Sequence, residues 1–211
     1  LKKINGKNYV EKTIITAIKN DIAIYAIHTN LDNVKNGVNN MIADKLKITN
    51  LKTLQPKEAL LKKLVTVAPL HHAENLRVAL FSAGGGYLGK YSECSFNIEG
   101  TGTFKPEDGA DPFVGEIGKR HQEKEVKIEI VFPSYLQHKL IVAMKAAHPY
   151  EEVAYDIFQL DNFLPDVGSG LVGDLEGEMD ETEFLSSLKN TFGLQIIRHT
   201  TLTNRKIKKV A

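Results

Sequence analysis

In His28-Thr-Asn-Leu-Asp32 an imidazole and a carboxylate stand close together, a pairing that could hold a metal ion through nitrogen and oxygen. Both are ligand-type residues, and a metal ligand must be deprotonated, which a helix N-terminus would favour for Asp32. Two plainer roles stay open: Asp32 as the cap of a following helix, and His28 as a buried, hydrogen-bonded histidine. His71-His72 has the look of half a dinuclear site, yet its place is the opening of the first helix of residues 61–162. An exposed helix start accounts for it. His148-Pro-Tyr-Glu-Glu152 packs a histidine, a phenol and two carboxylates into one turn, which could bind a ligand or a neighbouring subunit. Pro149 ending a helix, with the acidic pair facing outward, accounts for the same residues by conformation alone. Gly84-Gly-Gly86-Tyr-Leu-Gly89 and Gly168-Ser-Gly170-Leu-Val-Gly173 match the dinucleotide spacing, but that spacing must follow a strand and open a helix. The first follows a helix and the second a turn-rich run, so both read as loops.

These residues need elements to position them. Val10, Ile14, Ala17 and Ile18 recur at helical spacing, and residues 22–27 form a compact apolar run, so the chain should open as a helix and a buried strand. Val34, Val38, Met41, Ile42 and Leu46 predict a second helix, with Asp32 or Asn33 placed to cap it. His28 and Asp32 would then sit where a strand hands over to a helix, the place where open α/β sheets bind ligands.

Residues 61–162 follow a different logic. A strand over 64–68, a helix over 73–83 ending at Gly84-Gly-Gly86, and an alternating strand over 92–98 make one βαβ set. Gly100-Thr-Gly-Thr-Phe-Lys-Pro106 should turn out of it, and residues 106–123 read as a long surface loop. A strand over 125–132, a helix capped by Ser134 and running through Ala147, and a strand over 152–160 make the second set. Two such halves are the pattern of a ferredoxin-like sandwich. Residues 161–173 lead out through turn residues, followed by a helix over 182–192 and strands over 194–197 and 206–210. The division expected is residues 1–60 and 163–211 as a split α/β domain, interrupted by 61–162 as an α+β insert.

Composition narrows the classes. The chain has 211 residues, 42% of them hydrophobic, which is ample for a buried core. Its 27 basic and 26 acidic side chains nearly cancel, so no overall field points to nucleic acid or an anionic membrane. Arg205, Lys206, Lys208 and Lys209 alternate with apolar residues as a strand with one solvated face would. No apolar stretch is long enough to cross a bilayer, no secretory leader opens the chain, and Cys94 is alone. A soluble, cytoplasmic protein is the expectation. The first residue is Leu1 rather than Met, which suits an internal segment of a longer chain.

His28-Thr-Asn-Leu-Asp32, Glu99-Gly-Thr-Gly-Thr-Phe-Lys-Pro106 and Ala147-His-Pro-Tyr-Glu-Glu-Val-Ala-Tyr-Asp156 occur in this order in one chain. With them the sequence resembles the GTP cyclohydrolase type 2 homologues, also called Ngg-interacting-factor-three-like proteins, and the last two motifs resemble those of members with an insert. That insert is similar to the CutA and PII signalling proteins. The resemblance implies a split α/β metal-site domain around a CutA/PII-like insert, a homohexamer, and two divalent ions per subunit, zinc or iron. It implies Asp32 as a metal ligand and His28 as a residue behind it. The other ligands would come from an upstream paired-histidine motif and a His/Glu pair near the C-terminus, neither of which is in this sequence. The implied activity is metal-dependent hydrolysis of a nucleotide or another small molecule. A regulatory, non-enzymatic metal-binding assembly with a PII-like sensor is the alternative. The residues themselves show nothing that would read a guanine or a triphosphate.

Overall fold

A computed structural model describes residues 3–211 and divides the chain into two compact units, residues 1–51 with 170–211 and residues 52–169. The divides fall at 51/52 and 169/170, whereas the sequence pattern placed them at 60/61 and 162/163. The architecture is mixed α/β with two antiparallel sheets.

The inner unit, 52–169, runs β2 (Leu61–Pro69), α3 (Ala73–Ser82), β3 (Phe96–Phe104), β4 (His121–Pro133), α4 (Gln137–Ala147) and β5 (Tyr155–Leu160). Its sheet has the order β3-β4-β2-β5, with every neighbouring pair antiparallel. Val126, Ile128, Ile130 and Phe132 alternate along β4 and meet Leu64 and Ala68 of β2 beneath Leu76 and Leu80 of α3 and Leu140 and Met144 of α4. One face of the sheet is thus sealed by two helices, as two βαβ halves require. The even positions of β4 point to that core, so His121, Glu123 and Glu125 point to the other face.

The outer unit contains α1 (Tyr9–Lys19), α2 (Val38–Lys45), α5 (Glu181–Phe192) and β7 (Lys206–Val210). Strands β1 (Thr49–Pro56) and β6 (Gly168–Asp180) carry the chain across the divides and form, with β7, a sheet in the order β1-β6-β7. Asn8 caps α1 by accepting from the Glu11 amide, while Glu11 bonds back to the Asn8 side chain. Gly193, left-handed at φ 64, ends α5.

Several expectations are corrected. Residues 22–27 form no strand; Ile24 and Tyr25 stand 60% and 83% exposed, because no described strand lies alongside to take their backbone hydrogen bonds. The second helix starts at Val38, and its N-cap is Gly37 rather than Asp32 or Asn33. Only glycine fits there, since a Cβ would sit 1.9 Å from the Leu31 carbonyl oxygen. Residues 99–104 belong to β3 instead of turning out of it, and the second glycine-spaced stretch lies inside β6. Ser134 does not cap α4; it lies in a single 3₁₀ turn and its amide bonds to Leu60. Residues 194–197 are not a strand, and β1 is an element that the sequence pattern did not suggest.

Candidate functional site

Asp32 ends a single 3₁₀ turn, Asn30–Asp32, whose backbone is held by the Asp32 amide on the Thr29 carbonyl at 3.2 Å. Asn39, in the first turn of α2, donates its side-chain amide to the Asp32 carbonyl oxygen at 2.7 Å. The carboxylate itself is exposed. His28 is also exposed, which overturns its reading as a buried histidine; its backbone is left-handed at φ 50, and its Nδ1 lies 3.4 Å from the Thr29 hydroxyl. Among the described residues no group of three or more histidine, cysteine or acidic side chains converges as a metal site would.

The two motifs of the inner unit do converge. On the open face of its sheet, β3, the 105–114 loop and the turn after α4 enclose a cavity of about 440 Å³, lined by Gly102, Phe104, Phe113, Glu125, Tyr150 and Glu152 among others. Glu125, only 6% exposed, projects from β4 into this region. Its Oε1 accepts the Tyr150 hydroxyl at 2.9 Å. Its Oε2 lies so close over Gly102 that a Cβ there would be 2.0 Å away. Burial, and then the hydrogen bond to and charge of Glu125, push the Tyr150 phenol well above its ordinary range, so it stays protonated and donates.

His148 fixes the turn that carries Tyr150. Its Nδ1 accepts the Tyr150 amide at 3.1 Å, so Nε2 carries the proton and donates to the Val67 carbonyl at 2.7 Å. Both ring nitrogens are used in the neutral form, and burial lowers the pKa of the imidazole. Around Tyr150 stand Phe104 at 5.8 Å, Phe113 at 6.2 Å and the His148 ring at 5.0 Å. Glu151 accepts the Asp111 amide at 3.0 Å and so ties down the loop. Of the histidine pair, His71 is exposed but His72 is half-buried, its ring edge against Phe113 at 5.3 Å. The plain helix-start reading thus holds for His71 and is corrected for His72.

Glu125 was missed in the sequence, where it looks like any polar residue of an alternating strand. The available signal was the Gly-Thr-Gly stretch, whose Gly102 leaves room above the sheet for the Glu125 carboxylate.

The whole chain, residues 1–211, matches the model of the family described as Duf34/NIF3 (NGG1p interacting factor 3). It is 41% identical over 212 residues to a Bacillus subtilis protein named GTP cyclohydrolase 1 type 2 homolog, covering 100% of this chain and 57% of that one. A Halalkalibacterium halodurans protein of the same name is 42% identical, with 95% and 54% covered. The chain thus spans little more than half the length of these relatives. A crystal structure described as a Bacillus cereus protein related to NIF3 superposes with a TM-score of 0.78 at 42% identity, over 99% of this chain and 56% of that one.

Proposed function

The chain belongs to the Duf34/NIF3 family, and from that premise we propose that it is the middle part of a dinuclear, metal-dependent hydrolase acting on a nucleotide. In this reading the outer unit is a split metal-site domain and the inner unit its ferredoxin-like insert. The whole protein assembles as a homohexamer. The observation that carries the reading is the loop of residues 28–32, which presents an exposed carboxylate from a turn whose backbone is pinned by Asn39. An anionic oxygen on a fixed turn suits a hard or borderline dication such as zinc or iron. Asp32 would hold one ion, and the remaining ligands come from outside the described residues. A bound metal pair supplies a water acidic enough to attack at neutral pH. What Asp32 itself contributes is a fixed negative charge, presented without rearrangement.

Replacing Asp32 by Asn in the complete protein tests this. Stability should change by less than about 0.5 kcal/mol, as for other exposed substitutions, while elemental analysis should show clear loss of at least one metal. Full occupancy in a folded Asp32→Asn protein rules the assignment out. Turnover of GTP by the complete, metal-loaded protein then separates a nucleotide hydrolase from a metal-binding assembly. The sensor alternative draws support from one feature, the cavity in the inner unit.

A further inference from the structure

We propose that the cavity of the inner unit binds a small organic cation, an N–H-bearing ammonium or guanidinium group on a short apolar body, with Glu125 as its acceptor. The inference does not depend on the metal reading, since every residue involved lies within 52–169.

A buried carboxylate is costly unless a cation or several donors compensate it. Glu125 is buried, yet among the described residues it has one donor, the neutral Tyr150 hydroxyl, and no lysine or arginine partner. Neither nearby lysine reaches it: Lys127, next on the same strand face, pairs with Glu129 at 2.7 Å, and Lys105, which also lines the cavity, pairs with Glu107 at 3.2 Å. His148 cannot serve, because both its nitrogens are committed in the neutral form. No buried side-chain oxygen or nitrogen in the described residues lacks a partner. Glu125 Oε2, which takes no protein hydrogen bond, must therefore open onto the cavity. Something with a proton to donate, and a charge to match, completes it.

The walls select the rest of the ligand. Phe104, Phe113 and Tyr150 offer apolar contact, and aromatic faces attract a cation. Tyr150 remains a phenol, so its ring serves as an uncharged wall. Glu151 and Glu152 at the lining add negative charge and disfavour anions, including phosphate esters. The volume, about 440 Å³, falls in the range of small-molecule sites. Gly102 keeps the floor open, because any side chain there would occupy the place of the carboxylate.

The test uses the full 211-residue chain and two probes of equal shape, benzylamine and benzyl alcohol, titrated while backbone and aromatic NMR shifts are followed. Benzylamine should bind about tenfold more tightly, the effect of roughly one charge-assisted hydrogen bond, with shifts centred on Gly102, Phe104 and Tyr150. Glu125→Gln should erase the difference between the probes. Tyr150→Phe, which frees Oε1 and keeps the wall, should preserve it. Equal affinity for the two probes, no saturable binding of the amine, or shifts located elsewhere overturns the proposal, and these wild-type readings decide it even if Glu125→Gln does not fold. Guanosine binding more tightly than benzylamine in a Glu125-dependent manner also overturns it, in favour of a neutral base edge.

Discussion

Two apolar stretches of this chain met opposite fates. Residues 61–69 became β2, flanked on both edges by antiparallel partners and covered by α3 and α4, and Leu64 and Ala68 are almost fully buried. Residues 22–27 are at least as apolar, yet they lie open, bracketed by left-handed Asp21 and His28. The same contrast runs through the units: the inner one gathers a continuous core, whereas the buried apolar residues of the outer one are Ala17, Ala43 and Leu175. Hydrophobicity gives a segment a reason to be covered, but only a neighbour with matching hydrogen bonds makes it a strand.

That contrast can be broken most severely in the inner core. Leu76→Ala should cost about 2–5 kcal/mol, since Leu76 is fully buried and its loss leaves a cavity between two helices. Ile24→Ala in the outer unit should stay within about 0.5 kcal/mol, as exposed positions do. Chemical denaturation of both variants measures the gap, and comparable losses would mean that residues 22–27 are covered in solution. Within the inner unit the two glycines of β3 form a finer pair. Gly102→Ala should cost about 1–3 kcal/mol by driving the Glu125 carboxylate off its Tyr150 donor. Gly100→Ala, where a Cβ meets nothing within 4 Å, should be close to neutral. Thermal melts of the two variants would show whether the crowding is real.

The smallest effect depends on pH. The folded pKa of His148 is lowered, so below an unfolded value of about 6.5 the unfolded chain binds a proton that the folded chain refuses. Stability attributable to this residue is intact above that pH and falls as pH drops toward the folded pKa. His148→Gln should flatten that part of the profile, and an unchanged slope between pH 7 and 5 would assign it to other groups.

Much of the inner unit could be read before any coordinates, because its strands alternate and its helices end at Gly84 and Pro149. The helix at Val10 to Ile18 was equally plain. What escaped was non-local. Whether residues 22–27 pair depends on what lies beside them, and β1 carries too little apolar pattern to announce itself, with its strand set by partners more than a hundred residues away. The glycines at 100 and 102 looked like a turn because a turn is their commonest use, yet here both lie in β3 and Gly102 makes room for Glu125. Asp32 was legible as a candidate, but its expected role as helix cap fails, because residues 33–37 separate it from α2 and Gly37 takes the cap. For the cavity, both motifs that line it stood out in the sequence, and Glu125 between them did not.

The close approach of Gly102 to Glu125 also bears on how this sequence can drift. The two positions share one volume, so a methyl at 102 is accommodated best beside a shorter residue at 125, and with Glu at 125 it displaces the carboxylate from its place. Relatives that have lost the acid should therefore be the ones free to carry alanine or serine at the glycine. A pair of substitutions made with the glycine changed first would pass through a less stable intermediate, whereas the reverse order would not.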